Sequence, residues 1–518
     1  MVARTNTVEM GEQALFKFDI GGLGESLRVA RFSATEGLSR LFELELEIAC
    51  ENPDIDFSEA VGQEAMLSIW GELYPRFFHG IVSRFEQLQD LPRYTLYRVT
   101  VVPRVWRLTR RQDCRIFQQM DTPSILEEVL LTEGISQEHV RFELTGTYEP
   151  RDYCVQYRES DWDFASRLME EDGLFFYFEH EQGSHTLVVS DDSSTLKPVD
   201  GGVVIPFRRH TGAVEREDHI RRFHFTQEVR PGRTTLRDFN FKQPGMAMEA
   251  GAKAEEDSTL EQYDFPGEYQ DPRQGSAARG KTIARLRLEA WQATRRVGYG
   301  ESDCERLVPG RTFTLFDHPR GDYNGSYLLT QVKHEGSQPQ ALDEESPGGD
   351  LKYSLTFSCI PAEVPFRSAR VTPRPHMRGV QTAVVVGPAG EEIHVDKWGR
   401  VKVQFHWDRQ GKRDEQSSCW IRVSQLWAGA GWGAMFIPRI GQEVIVDFIE
   451  GDPDRPIITG RVYNGSNPVP YDLPGEKTKS TIQSNSSPGA GATTSCASRM
   501  RRGPSRSTCR RRRTSTSW

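Results

Sequence analysis

Between Phe42 and Ile48 every second residue is apolar: Phe42, Leu44, Leu46 and Ile48 alternate with Glu43, Glu45 and Glu47. A period of two belongs to a β-strand with one buried and one solvated face, whereas an amphipathic helix repeats its apolar positions every three or four residues. Similar runs recur at Phe77–Phe85 and Tyr94–Val102, punctuated by Gly21-Gly22, Pro92 and Pro103. With 45 Gly, 29 Pro and 27 Phe, the chain suits many short strands joined by tight turns better than a helical bundle. The expected fold class is mainly β with a few helices. A length of 518 residues is too great for one domain, so several are expected.

Two helices interrupt the strands. Thr122-Pro123 supplies an N-cap and a proline at the first helical position, after which Ile125, Leu126, Val129 and Leu130 fall on one face and Gly134 provides a stop. The second is expected from Asp161 to Asp172, with Ser160 as N-cap, Phe164, Ala165, Leu168 and Met169 inward, and Gly173 at its end. Leu174–Phe178 then begins a strand. A third candidate spans 276–294, carrying Ala284, Leu286 and Leu288.

Residues 336–350 read as a polar loop, and 361–378, with Pro361, Pro365, Pro373 and Pro375, as an extended linker. Beyond it lies a compact all-β segment. Ile393 and Val395 lead into a turn at Asp396-Lys-Trp-Gly399, after which Val401, Val403 and Phe405 alternate with Lys402, Gln404 and His406, predicting a hairpin. Further strands are expected at Trp420–Val423, Met435–Ile437, Glu443–Ile449 and Ile457–Tyr463. That many short strands in so little chain suggests a small closed barrel of the OB type.

Composition narrows the functional classes. No apolar run approaches the roughly 18 residues needed to span a bilayer. Glu9, Glu12 and Lys17 stand where a signal peptide would need an apolar stretch, so the chain is expected to start in the cytoplasm and to leave by a route that needs no signal peptide. Eight cysteines form no CxxC pair, which favours free thiols over a zinc knuckle or a disulfide framework. The net charge of −9 hides a split: eight arginines lie between Arg499 and Arg513, and the rest of the chain holds 57 basic against 74 acidic residues. An acidic body argues against nucleic-acid binding.

The candidate chemical sites each have a simpler reading. Glu170, Glu171 and Asp172 offer the paired carboxylates that a glycosidase needs, but they end an amphipathic helix and are expected on its solvated side. His394 and His406 flank the Trp398 turn without a third ligand, and no HExxH run exists. Gly429, Gly431 and Gly433 lack the Lys-Ser/Thr of a phosphate cradle and read as a strand connection. No serine has a GxSxG context. No catalytic, cofactor-binding or metal-ligating residue is therefore assigned, no cofactor is expected, and the chain is read as not an enzyme.

Several long runs carry a resemblance. The segment Tyr157-Arg-Glu-Ser-Asp-Trp-Asp-Phe-Ala-Ser-Arg-Leu-Met-Glu-Glu-Asp-Gly-Leu-Phe-Phe-Tyr-Phe178 is one. Glu301-Ser-Asp-Cys-Glu305 with Pro309-Gly310 is a second. The later barrel adds Asp396-Lys-Trp-Gly-Arg-Val-Lys-Val-Gln-Phe405, Pro438-Arg-Ile-Gly-Gln-Glu443, Gly451-Asp-Pro-Asp-Arg-Pro456 and Gly460-Arg-Val-Tyr-Asn464. Over residues 10–490 the chain resembles the VgrG family, the spike of type VI secretion, itself similar to fused contractile-phage hub proteins. The resemblance implies a multidomain β-barrel hub followed by an OB-fold barrel. The hub-like region would take residues 1–365, the linker 366–378, the OB fold 379–466 and a neck 467–490. It implies a homotrimer that caps the hexameric Hcp tube, meets baseplate proteins, carries effector cargo and, through a β needle, holds a PAAR-repeat tip protein. Secretion through the apparatus is implied too. The alternatives are a spike carrying a cell-wall hydrolase or a prophage tail hub.

From about Thr493 the chain departs from that pattern. Residues 491–518 are basic, lack usable periodicity and are expected to be disordered. Permitted codons for 492–518, read in an alternative frame, can encode a string resembling what family members carry here. A frameshift near residues 487–493 is the expectation, and a product lacking the needle should trimerise weakly.

Overall fold

The computed structural model describes residues 16–70, 75–131, 135–209, 218–269, 276–341, 352–487, 493–499 and 507–511. The chain divides into two compact units, each drawing on separate stretches of sequence. The first takes Met1–Arg111, Thr122–Glu149 and Ser160–Pro373; the second takes Gln112–Asp121, Pro150–Glu159 and Arg374–Trp518.

The first unit opens with β1 (Phe16–Ile20), β2 (Arg28–Gly37), β3 (Arg40–Cys50), a short helix α1 (Phe57–Ala60), β4 (Glu64–Trp70), β5 (Pro75–Asp90) and β6 (Thr95–Val102). They pair in the order β1-β4-β5-β6-β3-β2, and the Lys17↔Arg28 pairing of β1 with β2 closes the barrel. Alternation sets the faces. On β3, Phe42, Leu44, Leu46 and Ile48 are buried while Glu43 and Glu45 face solvent. Glu47 is half-buried because Arg31 and Arg98 reach it at 2.5 and 3.1 Å, holding its carboxyl below the usual range. The run expected at Phe77–Phe85 extends to a strand of 16 residues, bent by irregularities at Val82/Arg84 and Gln87/Gln89.

After β7 (Gln112–Phe117), which belongs to the second unit, come α2 (Thr122–Leu130), β8 (Val140–Glu143), β9 (Cys154–Ser160) and α3 (Asp161–Asp172). Ile125, Leu126, Val129 and Leu130 are fully buried, as their spacing requires, while the expected stop at Gly134 lies outside the described residues. On α3 the Ser160 hydroxyl accepts the Asp163 N–H at 3.0 Å and Gly173 is left-handed, so both expected caps are present. The hairpin β10 (Phe175–Glu181) and β11 (Ser184–Ser190) follows, with β11 parallel to β8.

A second closed barrel uses β12 (Val204–Pro206), β13 (Ile220–Gln227) and four later strands. Between them β14 (Arg233–Arg237), β15 (Glu249–Lys253), β16 (Glu261–Asp264) and α4 (Ser276–Ala293) form a side layer around Leu236, Met248, Tyr269, Ile283 and Ala284. The later strands are β17 (Arg296–Ser302), β18 (Thr312–Phe316), β19 (Gly325–Ser337) and β20 (Lys352–Pro361). They run β18-β19-β20-β17-β13, β12 pairs with β18, and the Phe207↔Ile220 bridge brings the ends together. Phe207, Phe223, Phe313, Leu315, Leu329 and Phe357 fill the interior.

One strand serves both barrels. β19 pairs with β20 and also, from Gln331↔Gly37 to Ser337↔Arg31, with β2 of the first barrel. The polar loop expected from residue 336 therefore starts later, because Gly336 and Ser337 are held in the ladder; positions 342–350 lie outside the described residues. Gly336 sits opposite Phe32, and a Cβ there would stand 2.1 Å from the Phe32 ring. Phe32 is buried and packs edge-on against Phe16 at 5.0 Å, so it cannot step aside.

The second unit is a five-stranded barrel: β21 (Gln381–Val386), β22 (Lys402–Phe405), β23 (Arg422–Val423), β26 (Glu443–Phe448) and β27 (Pro456–Val462). They run β22-β21-β26-β27-β23, and paired N–H···O bonds between Val401 and Ile421 (3.1 and 2.8 Å) close the ring. The core holds Ala383, Val385, Val403, Phe405, Val444, Val446 and Ile458. This is the expected OB-type barrel, with one pairing corrected. Val401–Phe405 hairpins not with Ile393–Val395 but with β21 upstream, from Ala383↔Phe405 to Val386↔Lys402. The turn survives locally, since Asp396 accepts the N–H groups of Trp398 and Arg400, but Ile393 and Val395 form no strand.

Two excursions from earlier in the chain dock on this barrel. β7 and β9 pair with each other, Tyr157 packs edge-on against Trp407 at 5.6 Å, and the Val155 N–H donates to Asp454 at 2.6 Å. The unit continues through a small ribbon, β24 (Trp427–Ala428) and β25 (Gly433–Ala434), to an antiparallel sheet of β28 (Lys479–Asn485), β29 (Thr493–Arg499) and β30 (Ser507–Arg511). The tail expected to lack order thus carries two backbone strands, which pair through main-chain groups that any Ser/Thr-rich sequence can offer.

Gly336→Val should destabilise the first unit by about 2–3 kcal/mol, because the seam has no room for the side chain. Chemical denaturation followed by a tryptophan-independent probe such as far-UV circular dichroism checks this; an unchanged midpoint contradicts it.

Candidate functional site

The carboxylates that could have signalled hydrolysis are not solvated, contrary to the sequence expectation. Glu171 and Asp172 are buried and Glu170 is half-buried. Asp172 accepts from Arg279 at 2.6 Å and from the Thr122 hydroxyl at 2.5 Å, tying α3 to α4 and α2. Glu171 lies 3.5 Å from Arg167 one turn back. Burial pushes the Glu170 carboxyl up, against three bonds that lower it: the N–H groups of Val371 and Thr372 and the Thr372 hydroxyl. A raised carboxyl is what an acid catalyst needs, yet these oxygens are occupied in pinning the chain at 371–372.

The other candidates also resolve into structure. His394 lies tilted against Trp420 at 4.8 Å, whereas His406 is exposed and bonds the Thr382 hydroxyl at 3.1 Å, so the two have different partners. Among the described residues no group of three His, Cys, Asp or Glu side chains could hold a metal ion. Among the described residues, Cys50, Cys114, Cys304, Cys359 and Cys419 are free thiols. Burial pushes the Cys304 thiol up to about 12 and also raises Cys359 well above the ordinary thiol range, leaving both protonated.

Gly429, Gly431 and Gly433 form the tip of a two-stranded ribbon, as a strand connection should. Trp427 pairs with Ala434 and Ala428 with Gly433, and the Gly429 N–H donates to the Trp432 carbonyl at 2.8 Å. Gly433 has φ +138, which only glycine adopts freely, and a Cβ there would stand 2.3 Å from the Trp427 carbonyl. Gln425 clasps the base: its amide oxygen accepts from the Phe436 N–H at 2.8 Å. Arg461 donates to the Phe436 carbonyl at 2.5 Å.

This ribbon presents apolar surface to solvent. Leu426 is 88% exposed, Met435 74%, Trp427 64%, Trp432 59% and Phe436 44%, with the two tryptophans meeting edge-on at 4.9 Å. A contiguous exposed patch of large apolar side chains marks an interaction surface. Sequence reasoning missed it by expecting a strand at Met435–Ile437, where the structure has none. The signal was present, because Leu426 to Ile437 contains no charge and two tryptophans among small residues.

Two barrels in one unit and an OB barrel in the other define a class, the hub proteins of contractile tails. Residues 35–340 match the phage tail baseplate hub family, and residues 382–463 match the type VI secretion system/phage-baseplate injector OB domain. The chain is 43% identical over 473 residues to the type VI secretion system spike protein VgrG1a of Pseudomonas aeruginosa, covering 89% of this chain and 71% of that one. It is 41% identical over 489 residues to VgrG4b of the same organism, covering 92% and 59%. An Escherichia coli type VI secretion component, described as similar to the T4 phage tail proteins gp27 and gp5, superposes with a TM-score of 0.63. Its identity is 22%, over 86% of this chain and all of that one. The chain belongs to the VgrG family of type VI secretion spike proteins. It spans roughly three-fifths of the length of several curated relatives. No helix among the described residues is long and apolar enough to cross a membrane.

Asp172→Ala leaves Arg279 without its buried partner and should cost about 3 kcal/mol. Urea denaturation checks this, and a loss below about 1 kcal/mol would assign the contact to the surface class instead.

Proposed function

We propose that three copies of this chain form the hub and spike base of a type VI secretion machine, with no chemistry of their own. The carrying observation is the doubled barrel: one chain holds two closed six-stranded barrels joined by β19. Three such chains offer six barrels, which suits docking on a six-fold tube built of Hcp. Baseplate proteins would surround this ring, effector cargo would ride on it, and a PAAR-repeat protein would cap a needle beyond the neck. The domain limits follow the same reading, with a hub-like region over 1–365, a linker over 366–378, an OB fold over 379–466 and a neck over 467–490. The chain would be made in the cytoplasm and leave through the machine.

The ribbon at 426–436 supports association between copies, since its apolar side chains are solvated in a single chain and would be covered in an assembly. No observation among the described residues favours the alternative of a cell-wall hydrolase. The double variant Trp427→Ser, Met435→Ser should weaken self-association about ten-fold or more. Sedimentation velocity from about 1 to 100 μM reads it, that range bracketing typical weak association. Concentration-dependent trimers in the parent chain and fewer in the variant support the proposal. A parent chain that stays monomeric throughout, or a variant that assembles equally well, overturns it.

A further inference from the structure

Of the chain's 12 histidines, His79, His180, His185 and His334 are gathered in the first unit, where β5, the β10–β11 hairpin and the β2–β19 seam meet. The side chains of His79, His180 and His334 are 0 to 3% exposed, and His185 is 2% exposed overall. The hydrogen bonds fix which ring nitrogens carry protons. His185 Nε2 accepts the Arg104 N–H at 3.0 Å, so its proton sits on Nδ1 and is donated to His79 Nδ1 at 2.9 Å. His79 therefore carries its own proton on Nε2, which faces Glu64 at 3.8 Å. His180 Nδ1 accepts the His79 backbone N–H at 3.1 Å, leaving its proton on Nε2, 3.9 Å from Glu36.

Each of these three rings thus has one nitrogen that must accept from an N–H. Adding a second proton to any of them sets donor against donor and breaks the bond. The broken bonds are the ones that hold β10 and β11 to β5 and to the turn at Arg104–Arg110. His334 differs: Nε2 donates to Glu36 at 3.0 Å, while Nδ1 meets the Tyr353 hydroxyl, which can turn to accept.

A polar cavity lies beside the cluster. It has a volume of about 180 Å³ and is lined by Arg76, His180, Glu179, Glu305, Arg306 and Arg311. The charges facing the rings come from every neighbouring element. Arg76 and Glu36 face His180 and His334, with Arg76 bonding both Glu36 oxygens at 2.8 and 2.9 Å. Glu64, Arg104 and His139 face His79; Arg104 and His139 also face His185.

We propose that this cluster is an acid-operated latch: with its histidines neutral it holds the β10–β11 hairpin against the first barrel, and protonation in an acidic compartment releases the hairpin. Release would uncover Phe42 and Phe178, which now meet edge-on at 5.0 Å. The direction of titration agrees. Burial, then Arg76, holds His180 down at about 3 from the ordinary 6.5, and burial also lowers His79 and His185. A group held neutral in the fold gives its full contribution above its unfolded value of about 6.5 and loses it progressively as the pH falls below that.

Amide hydrogen exchange on the full chain tests this at about pH 7.5 and about pH 5, on either side of the ordinary histidine value, with rates corrected for intrinsic chemistry. Protection over 175–190 should fall at least about ten-fold relative to β26 and β27, a change equivalent to one pH unit of linkage. A ratio constant within about two-fold overturns the latch. Histidine C2 exchange on the same samples should place His79, His180 and His185 below the ordinary histidine value of about 6.5. Ordinary titration of all three overturns it equally. If His79→Gln folds, the pH effect on the hairpin should shrink to under about three-fold; persistence of the full effect overturns the assignment, and the parent-chain measurements decide the matter if it does not fold.

Discussion

Seven rungs of antiparallel pairing between β2 and β19 join two barrels that would otherwise be separate bodies. A ladder of that length is stiff, because bending it about its axis would strain several main-chain hydrogen bonds at once. The same strand β19 then completes the second barrel through β18 and β20. Beneath the seam lie Glu36, Arg76 and His334, a buried charge network in which both Glu36 oxygens accept from Arg76 and one also accepts from His334. Burial alone would raise the Glu36 carboxyl, but Arg76, His334 and His180 outweigh it and hold it at about 2. The network therefore stays charged, and its directional bonds give the junction one geometry where apolar packing would admit several.

The alternation along β3 and the caps of α3 were legible in the sequence because each depends on residues within a few positions. Ser160, Gly173 and the Phe42–Ile48 pattern act locally, and the structure puts all of them where that chemistry requires. The partner of Val401–Phe405 was not legible. A strand's period names its buried face but not the strand beside it, and β21 lies well upstream. The docking of β7 and β9 on the OB barrel was hidden for the same reason, since Tyr157 meets Trp407 across a long stretch of sequence. The carboxylates of α3 misled because a polar helix end is usually solvated; here Arg279 on α4 and the chain at 371–372 cover it.

An exposed ribbon and a stapled pair of barrels are complementary features of an assembling protein. The barrels supply shape, with buried thiols and consumed carboxylates leaving little for chemistry among the described residues. The ribbon exposes apolar surface, and its glycines let Trp427 and Trp432 stand on a narrow projection. The proposed latch would add a condition under which the β10–β11 hairpin, though not the β2–β19 ladder, is released.

On the proposed reading, a chain with two stapled barrels should answer a six-fold tube with three copies. Native mass spectrometry of this chain mixed with purified Hcp hexamers counts the copies directly. Three chains on each hexamer is the expected composition. Complexes holding one or six chains per hexamer, or no complex at concentrations where the chain self-associates, would contradict the account.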